Sequence, residues 1–345
     1  MTDPQIKKAL HSVKTKGTSN KIQSNTVELN EVHNPGVEFQ SQWLDNIRVN
    51  LSAVKRRTST LTNRRSLKKD WQAAWLIKAV SCIDLTTLSG QDTPGKVRRL
   101  CAKARTPISF ELQQALGIES LHLTTGAVCV YHEMVETAVE ALKDTNIPVA
   151  AVSTGFPAGL SSFATRLQEI RNSVAVGAKE IDIVITRGHV LNANWTALYD
   201  EVAACKEACG DAHMKTIIST GELSTLNNVA RASMVAMMAG SDFIKTSTGM
   251  ESTNATLPVS LVMTRMIRQY QSLTGFRVGF KPAGGISTAK DAINYLVLMK
   301  EELGDSWLNP EMFRFGASSL LADIERQLEH HVTGRYSANH RHPIG

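Results

Sequence analysis

The apolar positions of this chain form short runs, each followed by a longer segment with a helical period. Eight such runs predict eight strands, each preceding a helix. The predicted strands span 80–85, 127–131, 148–153, 180–185, 214–219, 242–246, 276–281 and 312–315. Eight consecutive βα units favour a closed (β/α)₈ TIM barrel of the α/β class over a doubly wound sheet, which usually needs fewer strands and a switch point.

The same patterning divides the chain into four parts. Residues 1–36 are polar and lack a sustained period, which predicts a disordered leader. Residues 37–78 carry apolar stripes at helical spacing, which predict a helical cap of two amphipathic helices. The barrel is expected over residues 79–335 and a C-terminal tail over 336–345.

The formal net charge of +6 originates in the N-terminal part of the chain. Residues 1–75 hold 13 Lys and Arg against 6 Asp and Glu, whereas the remainder holds 25 against 26. This basic segment could contact an acidic partner such as nucleic acid, but a solvated helix face is the preferred interpretation. Nucleic acid is therefore not expected as a partner.

Five cysteines, an odd number without paired C-x₂-C spacing, argue against a zinc site and favour a reducing compartment. No apolar run approaches the about 18 residues that a membrane-spanning helix needs, so no membrane association is expected. A cytoplasmic location is predicted, with the nucleus left open. The sequence does not fix the oligomeric state, and a homodimer is left open.

Two lysines stand at the carboxyl ends of neighbouring predicted strands, where barrel enzymes place their chemistry. Lys245 ends the sixth strand in FIKTSTG, and Lys281 ends the seventh in GFKPAGG. Because adjacent strands lie about 4.8 Å apart, inward-pointing lysines at one height would bring their ammonium groups close together. The alternative, a surface lysine at a strand end, would be preferred for either residue alone.

Crowding changes the chemistry of a lysine, since only its neutral amine attacks a carbonyl. Two charges about 5 Å apart at an effective dielectric near 20 repel by roughly 3 kcal/mol, or about 2 pKa units, and burial lowers the pKa further. We therefore interpret Lys245 as a Schiff-base nucleophile and Lys281 as its perturber and proton-relay partner.

Proton transfer during Schiff-base chemistry needs a further group. Asp182 lies in the apolar strand EIDIV, and a carboxylate inside a barrel needs a partner such as these lysines. An outward carboxylate bound to a helix is the alternative. Asp84 on the first strand is a second candidate with a supporting role, and Cys129 lines the pocket or serves packing alone.

Two loops suggest a phosphate site. Gly284 and Gly285 follow the seventh strand and would let backbone N–H groups approach an anion. Ser318 and Ser319 open the helix after the eighth strand, where hydroxyls and the positive helix end suit phosphate. Gly249, after the sixth strand, could add another N–H. Each feature alone could be an ordinary turn or helix cap.

Five strings together resemble the deoxyribose-phosphate aldolase family over about residues 70–335, and HHVTGRY near the end resembles its eukaryotic branch. The strings are EIDIV from residue 180, TGEL from 220, DFIKTSTG from 242, GFKPAGGI from 279 and RFGASSLL from 314. Membership implies reversible cleavage of 2-deoxy-D-ribose 5-phosphate to D-glyceraldehyde 3-phosphate and acetaldehyde, without metal or organic cofactor. The small-molecule partner would be a phosphorylated sugar.

The resemblance also implies residue roles. Lys245 would be the Schiff-base lysine, Lys281 the second lysine and Asp182 the proton-relay carboxylate. Asp84 and Cys129 would lie near the substrate. The implied phosphate positions are Gly249, Gly284, Gly285, Ser318 and Ser319.

Some positions depart from the family pattern. Ser287 stands where many members have Arg, so affinity for the phosphate is expected to be weaker, and Met250 stands where Lys is common. His132 replaces a common Pro. The C-terminal Tyr that some members use as a proton shuttle has no clear counterpart, and Tyr336 is a poor substitute.

Two rival functions remain open at this stage. Another Schiff-base barrel aldolase would share the nucleophile but take a different donor. A barrel that binds a sugar phosphate or a protein without turnover is disfavoured, because retaining two lysines and a buried carboxylate is costly without chemistry.

Overall fold

The structure is a computed structural model, and it describes residues 33–64, 66–338 and 341–342. Eight parallel strands of the described chain form one sheet in the order β7-β6-β5-β4-β3-β2-β1-β8. The strands are Ile83–Thr86 (β1), Ala127–Tyr131 (β2), Val149–Ser153 (β3), Glu180–Val184 (β4), His213–Ile217 (β5), Phe243–Lys245 (β6), Gly279–Lys281 (β7) and Phe315–Ala317 (β8). The parallel bridges Phe280↔Phe313 and Ala283↔Gly316 join the two ends of this sheet, so it curls into a barrel.

Helices surround the strands. They span Ser41–Asp45 (α1), Leu51–Ser59 (α2), Leu61–Arg64 (α3), Lys69–Ser81 (α4), Pro94–Arg105 (α5), Phe110–Leu116 (α6), Val135–Leu142 (α7), Phe163–Ala175 (α8), Arg187–Leu191 (α9), Trp195–Cys209 (α10), Leu226–Met238 (α11), Leu257–Thr274 (α12), Ala289–Leu303 (α13) and Leu320–Thr333 (α14). Short 3₁₀ turns lie at Glu119–Leu121, His132–Met134, Thr220–Glu222 and Asp305–Trp307. The TIM barrel predicted from the sequence is confirmed. Among the described residues, no helix is both long and apolar enough to cross a bilayer.

Threonines fix where several barrel helices begin. Thr93, Thr225, Thr256 and Thr288 precede α5, α11, α12 and α13, and each hydroxyl accepts a hydrogen bond from the backbone N–H three residues later. Such N-caps satisfy backbone donors that a helix start leaves open. The loops after β1, β5, β6 and β7 therefore end at defined points, which orients the residues at the strand ends.

The eighth strand lies later in the chain than its predicted range of 312–315. Its ladder with β1 pairs Ile83 with Phe315 and Leu85 with Ala317. The predicted strand begins too early in the chain because Met312 and Phe313 are apolar. In the structure Phe313 reaches the sheet only through an isolated bridge. The strand itself uses Gly316 and Ala317, small residues that carry little signal in an apolar pattern.

The segment before the barrel contains four helices, α1 to α4, where two were expected. Helix α2 packs against α12, and α4 packs against α13 and α14. The predicted leader falls mostly on residues that lie outside the described ranges. Its last residues belong to the folded body, because Asn34 is buried, its backbone N–H bonds Asp242, and its amide donates to the carbonyls of Met237 and Ser241.

Candidate active site

Lys245 and Lys281 occupy equivalent places on neighbouring strands. Lys245 is the last residue of β6, Lys281 is the last residue of β7, and the two are register partners in the parallel ladder. Both side chains point into the barrel, where Lys245 is 3% exposed and Lys281 is fully buried. The matched height inferred from the sequence is therefore what the fold provides.

Both ammonium groups donate a hydrogen bond to the same carboxylate oxygen of Asp182. Lys245 Nζ donates to Asp182 Oδ2 at 2.8 Å, and Lys281 Nζ donates to the same oxygen at 2.7 Å. Asp182 is fully buried in the middle of β4, so its carboxylate depends on these partners. Of the two readings of Asp182 that the sequence left open, the inward one matches its position.

The pKa values of the two lysines move in opposite directions. Burial lowers the pKa of Lys245; Asp182 opposes that shift, and the charge of Lys281 adds to it. Burial also disfavours the charge on Lys281, but Asp182 and Asp84 outweigh it and raise its pKa above the ordinary range. Lys245 is therefore the amine that is more easily neutral, and Lys281 remains a cation.

The carboxylate between them stays ionised. Burial opposes ionisation of Asp182, but the three lysines around it hold its pKa well below the usual range. A buried carboxylate that remains charged among cations can stabilise positive intermediates and accept hydrogen bonds from them. Its Oδ2 atom accepts hydrogen bonds from Lys245 and Lys281 at the same time.

The third of those lysines, Lys215, was missed by the sequence analysis. It lies on β5 opposite Asp182 in register, is fully buried, and donates to Asp182 Oδ1 at 3.1 Å. It also forms an ion pair with Glu180. A lysine in the interior of a predicted strand was the available signal, since a charge buried there needs a partner.

Arg314 completes this buried network and was likewise given no role from the sequence. Its guanidinium donates to Asp84 Oδ1 at 2.6 Å and to Glu180 Oε1 at 2.7 Å. Asp84 Oδ2 in turn lies 2.5 Å from Lys281 Nζ. Arg314 directly precedes β8 and joins carboxylates from two strands, β1 and β4.

Asp84 and Cys129 support the site from within the barrel. Asp84 is fully buried between Lys281 and Arg314, and Cys129 is fully buried against Ala150 and Val152. Burial raises the pKa of the Cys129 thiol, which keeps it neutral. Neither residue is among those that line the described cavity. Asp84 supports the charges of Lys281 and Arg314, and Cys129 packs beside them.

A cavity of about 650 Å³ opens at the carboxyl ends of the strands, and Lys245 forms part of its wall. All the residues that the sequence suggested for a phosphate site also line the cavity: Gly249, Gly284, Gly285, Ser318 and Ser319. One open volume therefore joins the Lys245 amine to the candidate anion site.

Glycine is required at these turns by geometry. Gly249, Gly284 and Gly285 have φ values of +87°, +78° and +77°, which side-chain-bearing residues rarely adopt. A Cβ on Gly284 would also lie 2.6 Å from the Asn254 side chain. These turns consequently present backbone rather than side chains to the cavity, as an anion site needs.

The loops after the two lysine strands are fastened to each other. Thr246 Oγ1 accepts a hydrogen bond from Ala283 N at 3.0 Å, and Ser247 Oγ donates to the Ala283 carbonyl at 2.9 Å. These bonds fix the heights of Lys245 and Lys281 relative to one another. The two amines are therefore already close to each other before a substrate enters, which makes the site preorganised.

Comparison with known proteins identifies the family. A model described as "DeoC/LacD family aldolase" matches residues 78–326, well over half of the chain. The chain belongs to this aldolase family. It is accordingly a carbon–carbon lyase, as the sequence resemblance predicted.

Individual relatives agree with this assignment. The chain is similar to the human deoxyribose-phosphate aldolase, with 58% identity over 90% of this chain and 99% of the relative. The mouse deoxyribose-phosphate aldolase is 59% identical with the same coverage. A solved structure of tetrameric deoxyribose phosphate aldolase from Aeropyrum pernix matches with a TM-score of 0.57 and 19% identity over 81% of this chain and 99% of that chain. At that identity the likeness establishes the fold alone.

Proposed function

We propose that this aldolase reversibly cleaves 2-deoxy-D-ribose 5-phosphate to D-glyceraldehyde 3-phosphate and acetaldehyde, in the catabolism of deoxyribonucleotides. The observation that carries the proposal is the placement of Lys245 and Lys281 on one oxygen of Asp182, with Lys245 open to the cavity. The 58% identity to the human deoxyribose-phosphate aldolase supports the choice of sugar.

Lys245 is the nucleophile. Burial and the neighbouring charge of Lys281 lower its pKa, which raises the fraction of neutral amine near pH 7. The neutral Nζ attacks C1 of the open-chain sugar and forms a carbinolamine. The hydroxyl of that intermediate then takes up a proton and leaves as water, which yields a protonated Schiff base.

Asp182 and Lys281 serve the proton transfers. Removal of the proton from the C3 hydroxyl lets the C2–C3 bond break, and the electron pair moves into the iminium to form an enamine. The C3 fragment leaves as D-glyceraldehyde 3-phosphate. Protonation of the enamine at C2, followed by addition of water, releases acetaldehyde and restores Lys245. The steps use side chains of this chain and water.

The phosphate binds at the glycine and serine end of the cavity. Backbone N–H groups around Gly249, Gly284 and Gly285 supply donors without side-chain obstruction. Ser318 and Ser319 add hydroxyls where α14 begins, and the positive end of that helix favours an anion. Phosphate binding there holds C1 of the sugar toward Lys245.

The products of one turnover test this function directly. The chain is incubated with 2-deoxy-D-ribose 5-phosphate, and acetaldehyde and D-glyceraldehyde 3-phosphate are quantified. We expect equal amounts of both, and none from the Lys245→Met variant, whose fold is checked by circular dichroism. Binding of the sugar phosphate without any products would instead favour a non-catalytic binding protein. Products of a different cleavage would indicate another aldolase.

We also propose a cytoplasmic location, with the nucleus left open. All five cysteines are free and buried, which suits a reducing compartment. Fractionation of cells would check this point.

A further inference from the structure

One cation on the cavity wall has no part in the Schiff-base chemistry. Of the residues that line the cavity, all within the described ranges, the cationic ones are Lys245 and Lys96. Met250 and Ser287 line the same cavity with uncharged side chains. Once Lys245 is bound to the sugar, Lys96 is the remaining lysine on this wall.

The fold brings Lys96 to the side of the cavity that holds the serine pair. Strand β1 is hydrogen-bonded to β8, with Leu85 opposite Ala317. Helix α5 follows β1 and begins at Pro94, and its first turn lines the same cavity as Ser318 and Ser319. Lys96 is in that first turn.

A buried carboxylate holds Lys96 in place. Lys96 Nζ donates to Asp92 Oδ1 at 2.7 Å. Asp92 is 4% exposed in its side chain and accepts hydrogen bonds from Thr87 Oγ1 at 2.8 Å and from the backbone N–H of Ser89 at 3.0 Å. Asp92 is thus hydrogen-bonded to residues of the loop after β1, and this loop lines the cavity.

The Lys96 ammonium group has N–H donors left for a ligand. An ammonium has three N–H donors, and the pair with Asp92 uses one of them. The Lys96 side chain is 31% exposed, so solvent or a ligand reaches it. A simple i,i+4 surface pair would need neither the buried anchor nor a place on the cavity wall.

We propose that Lys96 is the cation that binds the phosphate of the substrate in this chain. This inference rests on the proposed function and extends its phosphate site by a residue outside the glycine and serine loops. Lys96 approaches the phosphate from the β1 side of the cavity, whereas the uncharged Ser287 lies on the β7 side. Asp92 fixes the direction of approach.

The test compares selectivity for phosphate across variants. The kcat/KM for 2-deoxy-D-ribose 5-phosphate is divided by that for phosphate-free 2-deoxy-D-ribose, for the wild-type chain, Lys96→Met and Lys96→Arg. Lys143→Met is the matched control, because Lys143 pairs with Glu140 on an exposed helix end away from the cavity. We expect the ratio to fall about tenfold in Lys96→Met, as for loss of one charge-assisted hydrogen bond. It should recover substantially in Lys96→Arg and stay unchanged in Lys143→Met.

Two results would overturn the inference: an unchanged ratio in Lys96→Met, or equal losses with both sugars, which would assign Lys96 to loop structure alone. Failure of the proposed function is distinguishable, since the wild-type chain would then release no acetaldehyde and D-glyceraldehyde 3-phosphate from the sugar phosphate. In that event calorimetry with inorganic phosphate decides: about tenfold weaker binding to Lys96→Met supports the phosphate role, and equal binding contradicts it.

Discussion

The pKa of Lys245 is lowered by burial more than by the neighbouring charge of Lys281. The sequence interpretation made the repulsion from Lys281 the principal cause of the lowered pKa. In the structure burial is the larger influence, and Lys281 adds to it while Asp182 opposes it. The two neighbours therefore pull the pKa of Lys245 in opposite directions, which makes their effects separable by substitution.

Removal of the neighbouring cation should make Lys245 harder to deprotonate. In Lys281→Met the pKa of Lys245 rises, because the repulsive charge is gone and Asp182 is left to favour the ammonium form. The rate of borohydride trapping with acetaldehyde, measured against pH, should show its acid limb at higher pH than in the wild type. A limb that does not move would refute the electrostatic coupling. Thermal unfolding of the variant checks that the fold is retained.

Removal of the carboxylate should have the opposite effect on the amine and a harmful one on turnover. In Asp182→Asn the acid limb of trapping moves to lower pH, since the group that favoured the ammonium form is gone. At the same time kcat should fall by about 10²-fold or more through loss of proton transfer. A variant with wild-type kcat would remove Asp182 from the mechanism.

The sequence singled out Lys245, Lys281 and Asp182, which the structure brings together, but not the whole charged network. Lys245 and Lys281 stand at strand ends next to small-residue loops, where position alone singles them out. Lys215 lies inside a strand, where alternation does not reveal which face meets other charges until the register with Asp182 is known. Arg314 reaches Glu180 and Asp84 only because the barrel closes, which no local pattern encodes.

At the level of elements, the close approach of β6 and β7 depends on one missing side chain. A Cβ on Gly279 would lie 2.4 Å from the ring of Phe243, its register partner on β6. Phe243 is 2% exposed and has little room to turn away. The two strands that carry the lysines can therefore pair in this register only with glycine at that position.

Gly279→Ala should destabilise the protein by about 1–3 kcal/mol, as expected for overpacking in a filled interior. Urea unfolding measures the loss. Gly90→Ala is the matched control, because a Cβ at Gly90 meets nothing within 4 Å. Equal stabilities for the two variants would show that β6 and β7 can separate without cost.

The strand predictions succeeded where apolar runs were long and failed where small residues formed the ladder. Ala127–Tyr131 was predicted with its observed bounds, since all five positions are apolar or aromatic. The eighth strand was displaced because Gly316 and Ala317 carry little apolar signal. The two-helix cap became four helices, since short turns between α1 and α4 do not interrupt an apolar stripe.

At the scale of the whole molecule, the barrel interior holds an ion network rather than an apolar plug. Its carboxylates are Asp84, Glu180 and Asp182, and its cations are Lys215, Lys245, Lys281 and Arg314. Among these groups the cations outnumber the carboxylates by one, so release of a proton from Lys245 balances the charge. The network itself thus favours the neutral amine that the chemistry needs.

Stability should accordingly fall in acid. The pKa values of Asp84, Glu180 and Asp182 all lie below their ordinary ranges, because the surrounding cations outweigh burial. Depressed carboxyl pKa values contribute stability that is present above the unfolded-state pKa of about 4 and lost as the pH falls toward the folded-state values. The free energy of unfolding in urea should drop by at least about 2 kcal/mol between pH 7 and pH 3.

Substitution within the network separates this effect from general acid sensitivity. The Asp84→Asn variant has one titrating carboxylate fewer, so its free energy of unfolding should change less steeply with pH over the same interval. A wild-type stability that is flat from pH 7 to pH 3 would contradict the assignment of depressed pKa values to the buried carboxylates.

Identification of the modified lysine tests the central claim most directly. The wild-type chain is incubated with acetaldehyde, reduced with borohydride and digested, and the peptides are mapped by mass spectrometry. The account predicts a stable ethyl adduct on Lys245 and an unmodified Lys281, because Lys281 keeps its proton. An adduct on Lys281, or no adduct on either lysine, would contradict it.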